Sequence, residues 1–503
     1  MALVPVLCCV MVCALQGHKI TDIYLPASDW NDELFYYKQV EGMIKYGYPY
    51  GYFGFNESHA QVLSFAAWSP VLVWPWLLWG LLFGWNLMSP IYCNLFLMTA
   101  AVFLFVYITE ADWRQCVSIA VLYAVFPLTS RYILSVMPEC VCFAMGLVFW
   151  ACAYSYFQKE STGRLAAMFV ISAVLTLMRP YMILFLALPS ILLIMKKRWL
   201  GVVGSLGIVG VTGIGYVCIK KFLAAEYFTA LFDTSWLTNF IYYGVRQGFA
   251  MLIQKFCSGF LQFMDCCRQG IVNRSFTGLF FIGFLIVMLL LLVWTVTELI
   301  RKEYWQALLY GHLFLSFAGM WVALLLMYKM QEGSKHLLTF IVVGFFALAM
   351  TNMTKWGRFV PTVLCGVCFI CLYGGMLKNN EDFRLSFYTE ELAEVMDQTG
   401  EQLQEALSLN MDNTPNYDND VIWVVSDRIA DNASVSTDYQ ILYGLPAGFG
   451  ISCCYAEYVQ ENFDELQSRY ICTVAGGQID ELCQERGMTV IAQGLNAVVY
   501  QLR

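Results

Sequence analysis

Two adjacent carboxylates, Asp32 and Glu33, follow the first apolar segment of the chain, residues 2–15, by one short loop. Carboxylates at a membrane boundary are costly to desolvate, so their presence there points to a task. Five further polar side chains stand at the ends of apolar runs. They are Arg131 and Glu139 in 131-RYILSVMPEC-140, Arg179 before Pro180, and Lys335 with His336. A carboxylate can take the proton of an attacking hydroxyl. Cationic side chains can hold a phosphate and stabilise the charge that grows on it as it leaves. Acids, arginines, lysine and histidine gathered at one membrane face are what a reaction on an anionic lipid substrate needs. Taken singly, each residue has a plainer role. Acids at a helix start are favoured by its dipole, Glu139 directly follows Pro138, and arginines at span ends snorkel to headgroups.

The elements that must position these residues are membrane helices. The chain is 59% hydrophobic and 13% charged, against about 25% charged residues in soluble domains. Its apolar residues come in runs of roughly 15 to 25, the length of a bilayer helix. Candidate spans are 2–16, 90–108, 116–134, 140–157, 165–178, 181–195, 199–219, 276–300, 307–327, 337–351 and 359–377. The first is short: residues 2–15 rise only about 21 Å, against a hydrocarbon core of about 30 Å. It reads as a first membrane helix cut short by a late start, with a cleaved signal as the competing reading.

Basic clusters at Lys159/Arg164, Lys196–Arg198, Arg301–Lys302 and Lys355/Arg358 fall in alternate loops. This orients the chain with a cytoplasmic N-terminus. The loops carrying the seven polar residues then all face outward, and so does the C-terminus. Segment 62–84 has both ends on that outer side. It is rich in tryptophan and broken by Pro70 and Pro75, so it is expected to lie in or dip into the outer interface. Loop 222–275 reads as amphipathic helices on the membrane surface.

After residue 377 the composition turns polar. A helix over 388–409, the apolar run 421-VIWVVSD-427, a helix over 477–486 and a terminal hairpin of 488–492 with 497–502 predict a small α/β domain. The glycines of 444-GLPAGFG-450 follow no clear strand and open no helix, so a nucleotide loop is not expected. The 19 cysteines lie mostly in apolar runs and read as small hydrophobes. Cys266–Cys267 and Cys453–Cys454 would be open to pairing in an oxidising compartment. No residue set is assigned to a metal, and without a basic stripe or a nucleic-acid motif no nucleic acid partner is expected.

In order along the chain, these features resemble the GT-C superfamily of integral-membrane glycosyltransferases, in the bacterial branch related to protein O-mannosyltransferases and lipid A aminoarabinose transferases. The resemblance rests on Asp32–Glu33 with Tyr36 and Gly47 in 32-DELFYYKQVEGMIKYGYP-49, and on 68-WSPVLVWPWLLWGLLFGW-85. It continues through 137-MPEC-140, 178-MRPY-181 and 332-EGSKHLL-338. The implied fold is an all-α polytopic membrane domain over 1–377, with about eleven transmembrane helices plus outer interfacial helices. A small C-terminal extracytoplasmic α/β domain over 378–503 follows it.

The resemblance further implies a polyprenyl-phosphate sugar as donor and a glycan, lipid or protein as acceptor. The site would be outward-facing, with Asp32 or Glu33 as catalytic base and Arg131, Glu139, Arg179, Lys335 and His336 for phosphate or substrate. Position 335 departs from the family pattern, with Lys where Arg is expected, a point charge instead of a fork. The family differs on metal use, which leaves a divalent cation open. A transporter or flippase of lipid-linked glycans, a surface-polysaccharide polymerase and a non-catalytic assembly protein are the competing functions.

Overall fold

The computed structural model describes residues 1–23, 32–47, 53–57, 70–223, 235–328, 330, 332–351, 385, 387, 390–410, 417–430, 433–436, 439–494 and 496–503, with single positions between 363 and 373. Helices occupy every expected span up to 337–351, while 359–377 lies largely outside the described residues. Among the described residues, five helices are long and apolar enough to cross a bilayer. They are α4 (Ser89–Thr109), α7 (Glu139–Gln158), α10 (Trp199–Leu223), α13 (Phe276–Ile300) and α14 (Tyr304–Met327). Shorter apolar helices α1 (Val4–Leu15), α8 (Thr162–Met178), α9 (Ile183–Met195) and α15 (Leu338–Ala349) pack among them. Helix α7 is its axis, with 83% of its apolar window buried.

The expected span 116–134 is not one continuous helix. Helices α5 (Trp113–Val125) and α6 (Pro127–Ile133) meet at 73°. Pro127 lacks the N–H that would continue the ladder, and its ring disfavours a helical residue before it. Of segment 62–84, the described part is a 3-10 turn, Pro70–Val73, running into α3 (Trp74–Phe83). Residues 62–69 of that segment lie outside the described residues. Loop 222–275 holds α11 (Ser235–Tyr242) and α12 (Gly244–Asn273). Helix α12 packs one edge on α13 and α14 through Gly259, Phe263 and Gly270, and leaves Phe249, Ile253 and Met264 exposed beside it.

The C-terminal part, with β1 (Phe53–Phe55), builds a six-stranded sheet ordered β1-β5-β2-β6-β8-β7, beside a two-stranded one of β3 (Ser426–Arg428) and β4 (Ser434–Ser436). Strands β2 (Asp420–Val424), β5 (Gly450–Cys454) and β6 (Tyr470–Val474) run parallel, and β7 (Thr489–Gln493) and β8 (Ala497–Gln501) form the expected antiparallel hairpin. Strands buried on both faces read as continuous apolar runs, and the two faces divide by alternation. Val421, Trp423, Ile451 and Cys453 pack into the same core as the membrane helices. Ile422, Val424, Cys454 and Ile471 pack under the sheet's own helices. The expected helices appear as α16 (Glu390–Ala406) and α18 (Gln478–Glu485), beside a further short one, α17 (Ala456–Asn462).

The first strand is the unexpected one. β1 (Phe53–Phe55) belongs to the loop after Asp32 and pairs parallel with β5. Cys267, Cys453 and Cys454 are buried free thiols, and Cys266 is a half-buried one.

Candidate active site

Asp32 and Glu33 open helix α2 (Asp32–Tyr46), in the turn where a carboxylate suits the helix dipole. Successive helical residues point about 100° apart, and here that separates the pair. Glu33 is fully buried. Asp32 keeps 36% of its side chain exposed and accepts from Lys335 Nζ at 2.8 Å through Oδ2. Burial would raise the Asp32 pKa. The Lys335 ammonium and, behind it, the Arg179 guanidinium outweigh that and hold it below the usual carboxylate range. Burial likewise works against the charge on Lys335, but Asp32 and Glu139 raise its pKa.

Lys335 and His336 sit in a 3-10 turn, Glu332–Leu337, that leads into α15. The buried His336 ring meets Tyr181 Oη at 3.1 Å through Nδ1 and packs against the Tyr328 ring at 4.6 Å. Arg179 is the residue after α8. Pro180 pushes it out of the helical region, and it is extended, with φ −140° and ψ 114°. Its guanidinium is buried and donates from Nη2 to Glu139 Oε1 at 2.5 Å. Glu139 in turn is the first residue of α7, placed there by Pro138.

Arg131 lies in the last turn of α6, fully buried. The loop between α6 and α7 is held by Asn94, whose Nδ2 donates to Ser135 O at 3.1 Å while its Oδ1 accepts from Trp76 Nε1 at 2.9 Å. Thus α3 and α4 together brace the turn that presents Arg131 and Glu139.

Of the seven residues singled out in the sequence, Asp32, Glu139, Arg179, Lys335 and His336 converge, Arg131 is buried in the last turn of α6, and Glu33 turns inward. Sequence reasoning gave no role to the tyrosines around Arg179: Tyr36, Tyr132, Tyr181 and Tyr328. Tyr36 sits one turn after Asp32, a spacing that puts both on one helix face. Among the described residues no three His, Cys, Asp or Glu side chains converge as a metal site. Among the described residues, Asp32 is paired with the Lys335 ammonium.

No protein-family model and no curated protein matches the chain by sequence. Its three-dimensional likenesses are to membrane glycosyltransferases. The oligosaccharyltransferase of Archaeoglobus fulgidus in the apo form is 12% identical, with a TM-score of 0.51 over 94% of this chain and 69% of that one. The same protein tethered with an acceptor peptide containing the NVT sequon is 13% identical, with a TM-score of 0.51 over 94% and 68%. ArnT from Cupriavidus metallidurans bound to undecaprenyl phosphate is 10% identical, with a TM-score of 0.47 over 99% and 97%. The chain has the GT-C fold of integral-membrane glycosyltransferases. At these identities what is shared is architecture.

Proposed function

We propose that this chain is a membrane glycosyltransferase that moves a sugar from a polyprenyl-phosphate donor to an acceptor hydroxyl at the extracytoplasmic face, with Asp32 as the base. The observation that carries the reading is the meeting of Asp32, Lys335, Glu139 and Arg179, from separate loops, at one end of a GT-C-fold bundle. Asp32 is preferred over Glu33 because its carboxylate reaches solvent and Glu33 is sealed in the core.

In the reaction the acceptor oxygen forms a bond to the anomeric carbon as the bond from that carbon to the phosphate oxygen breaks. The acceptor proton passes to the Asp32 carboxylate, and the leaving phosphate keeps the electron pair. Lys335 has two duties in this scheme. It neutralises Asp32 before the donor binds, then turns to the donor phosphate as a rotatable point charge. That hand-over strips Asp32 of the cation that depresses its basicity. Arg179, oriented by Glu139, and Arg131 supply fixed positive charge for the leaving phosphate. Donor tail and headgroup would lie along the apolar, partly exposed edge of α12 and the site respectively.

The test is sugar release by purified protein from labelled polyprenyl-phosphate sugars, with a membrane extract as acceptor source. Wild type should deplete one donor and Asp32→Asn should not. Equal depletion by both overturns the base assignment, and intact donors across a broad panel with folded protein overturn the transferase. Sidedness has its own check. A reporter fused after Arg503 should read extracytoplasmic, and a cytoplasmic signal would reverse the topology.

A further inference from the structure

Helix α2 is gripped from outside as firmly as its first residue is gripped from inside. Lys38, six residues beyond Asp32, is buried, and its ammonium spends all three N–H groups. They go to Glu41 Oε2 at 2.8 Å, Tyr443 O at 2.8 Å and Leu445 O at 2.6 Å. The carbonyl between those two, Gly444 O, accepts from Gln404 Nε2 of α16 at 2.9 Å. The strap over 443–445 therefore lies between α2 and α16. It is pressed there closely: a Cβ on Gly444 would meet Gly400 Cα at 2.7 Å. Further along, Tyr46 Oη donates to Ala447 O at 2.9 Å.

The chain after α2 is held too. β1 joins the sheet, and the Glu57 carboxylate accepts from the backbone N–H of Gln467 at 2.9 Å and of Ser468 at 2.6 Å. None of these bonds touches the reacting atoms, yet all set where α2 lies.

Resting on the reading of Asp32 given above, we propose that Lys38 is a positioning residue. Its clasp on the carbonyls of Tyr443 and Leu445 sets the rotation and depth of α2, and so places Asp32 against Lys335. The C-terminal α/β domain is then a working part of the active site. A helix is stiff over the roughly 9 Å from Lys38 to Asp32, so slack at the clasp becomes misplacement at the carboxylate.

The experiment compares full-length wild type, Lys38→Met, Lys38→Arg, Tyr46→Phe and Asp32→Asn. It reads donor turnover and amide hydrogen exchange over residues 32–37. Lys38→Met should lower kcat by about 10²-fold, the scale of a misplacement near 1 Å. Donor KM should change little, because the phosphate groups lie elsewhere. The acid limb of its pH profile should move up as Asp32 loses Lys335, exchange over 32–37 should quicken, and Lys38→Arg should recover part of the rate. Tyr46→Phe, which deletes one bond at the far end of α2, should move exchange and kcat in the same direction by a few-fold; it keeps the test open should Lys38→Met fail to fold.

Unchanged exchange with unchanged kcat in folded Lys38→Met, or a loss confined to KM, overturns the proposal. So does unchanged exchange and kcat in Tyr46→Phe where Lys38→Met does not fold. An inert Asp32→Asn beside a normal Lys38→Met sinks the clasp alone. A fully active Asp32→Asn sinks the base reading and the clasp with it.

Discussion

The two ends of the helix bundle treat charge in opposite ways. At the end with Asp32, two ion pairs join separate segments, the buried Arg179 with Glu139, and Lys335 with Asp32 over a separation of 303 residues. At the other end pairs are near neighbours or exposed. Arg301 meets Glu298 at i,i+3, and Glu160, 60% exposed, meets Lys196 and Arg198. Cations there lie over aromatic rings, Lys196 over Tyr156 and Trp305, Arg301 over Trp294 and Arg114 over Trp113. That second pattern is how a membrane protein anchors itself at an interface. The first is expensive to assemble, since buried ions pay a desolvation cost that pairing only offsets. The contrast supports the proposed site at the first end.

The contrast breaks or sharpens under substitution. The largest effect is expected from Asp32→Asn, which should lower kcat by about 10²–10⁴-fold, the usual worth of a positioned base, with Glu33→Gln losing far less in the same turnover assay. Glu139→Gln leaves the Arg179 charge buried without its counter-charge. Unfolding in detergent should show a loss of about 3–5 kcal/mol, the range for breaking a buried pair from one side.

A subtler effect concerns pH. The folded-state pKa of Asp32 lies below its unfolded value, so the pair's contribution is present above the ordinary carboxylate range and lost as pH falls through the folded pKa. The acid limb of kcat/KM, which reports the free enzyme, should accordingly lie below the ordinary carboxylate range. Lys335→Met, which removes the depressing cation, should move that limb upward; an unmoved limb would mean that another group titrates. At the far end, Arg198→Ala touches only an exposed contact at 3.9 Å. It should shift stability by at most about 1 kcal/mol and leave turnover unchanged.

Much of this was legible locally. Pro138 and Pro180 announce the start of α7 and the end of α8, and so the places of Glu139 and Arg179. The runs 421-VIWVV-425 and 497-AVVYQ-501 read as strands because β-branched and aromatic residues fit a pleated surface. Other elements were not legible. Three residues, 53-FGF-55, carry no strand period. 450-GISCC-454 stands in a glycine-rich stretch that reads as turn, yet lies inside the sheet, paired on both sides by β1 and β2. In 116–134 apolar content masked the break at Pro127. Lys38 looked like any lysine on a helix, since its partners lie 405 and 407 residues away.

By itself the sequence determined the membrane helices, the α/β character of the C-terminal part and the set of polar residues that hydrophobic surroundings make costly. Those properties follow from composition and from periods of 3.6 and 2, which act over a few residues. Only the tertiary structure decided which of two adjacent carboxylates meets Lys335, that β1 completes a distant sheet, and that a buried lysine ties α2 to the domain beyond it. Those choices depend on packing between segments hundreds of residues apart, and no local pattern in the chain records them.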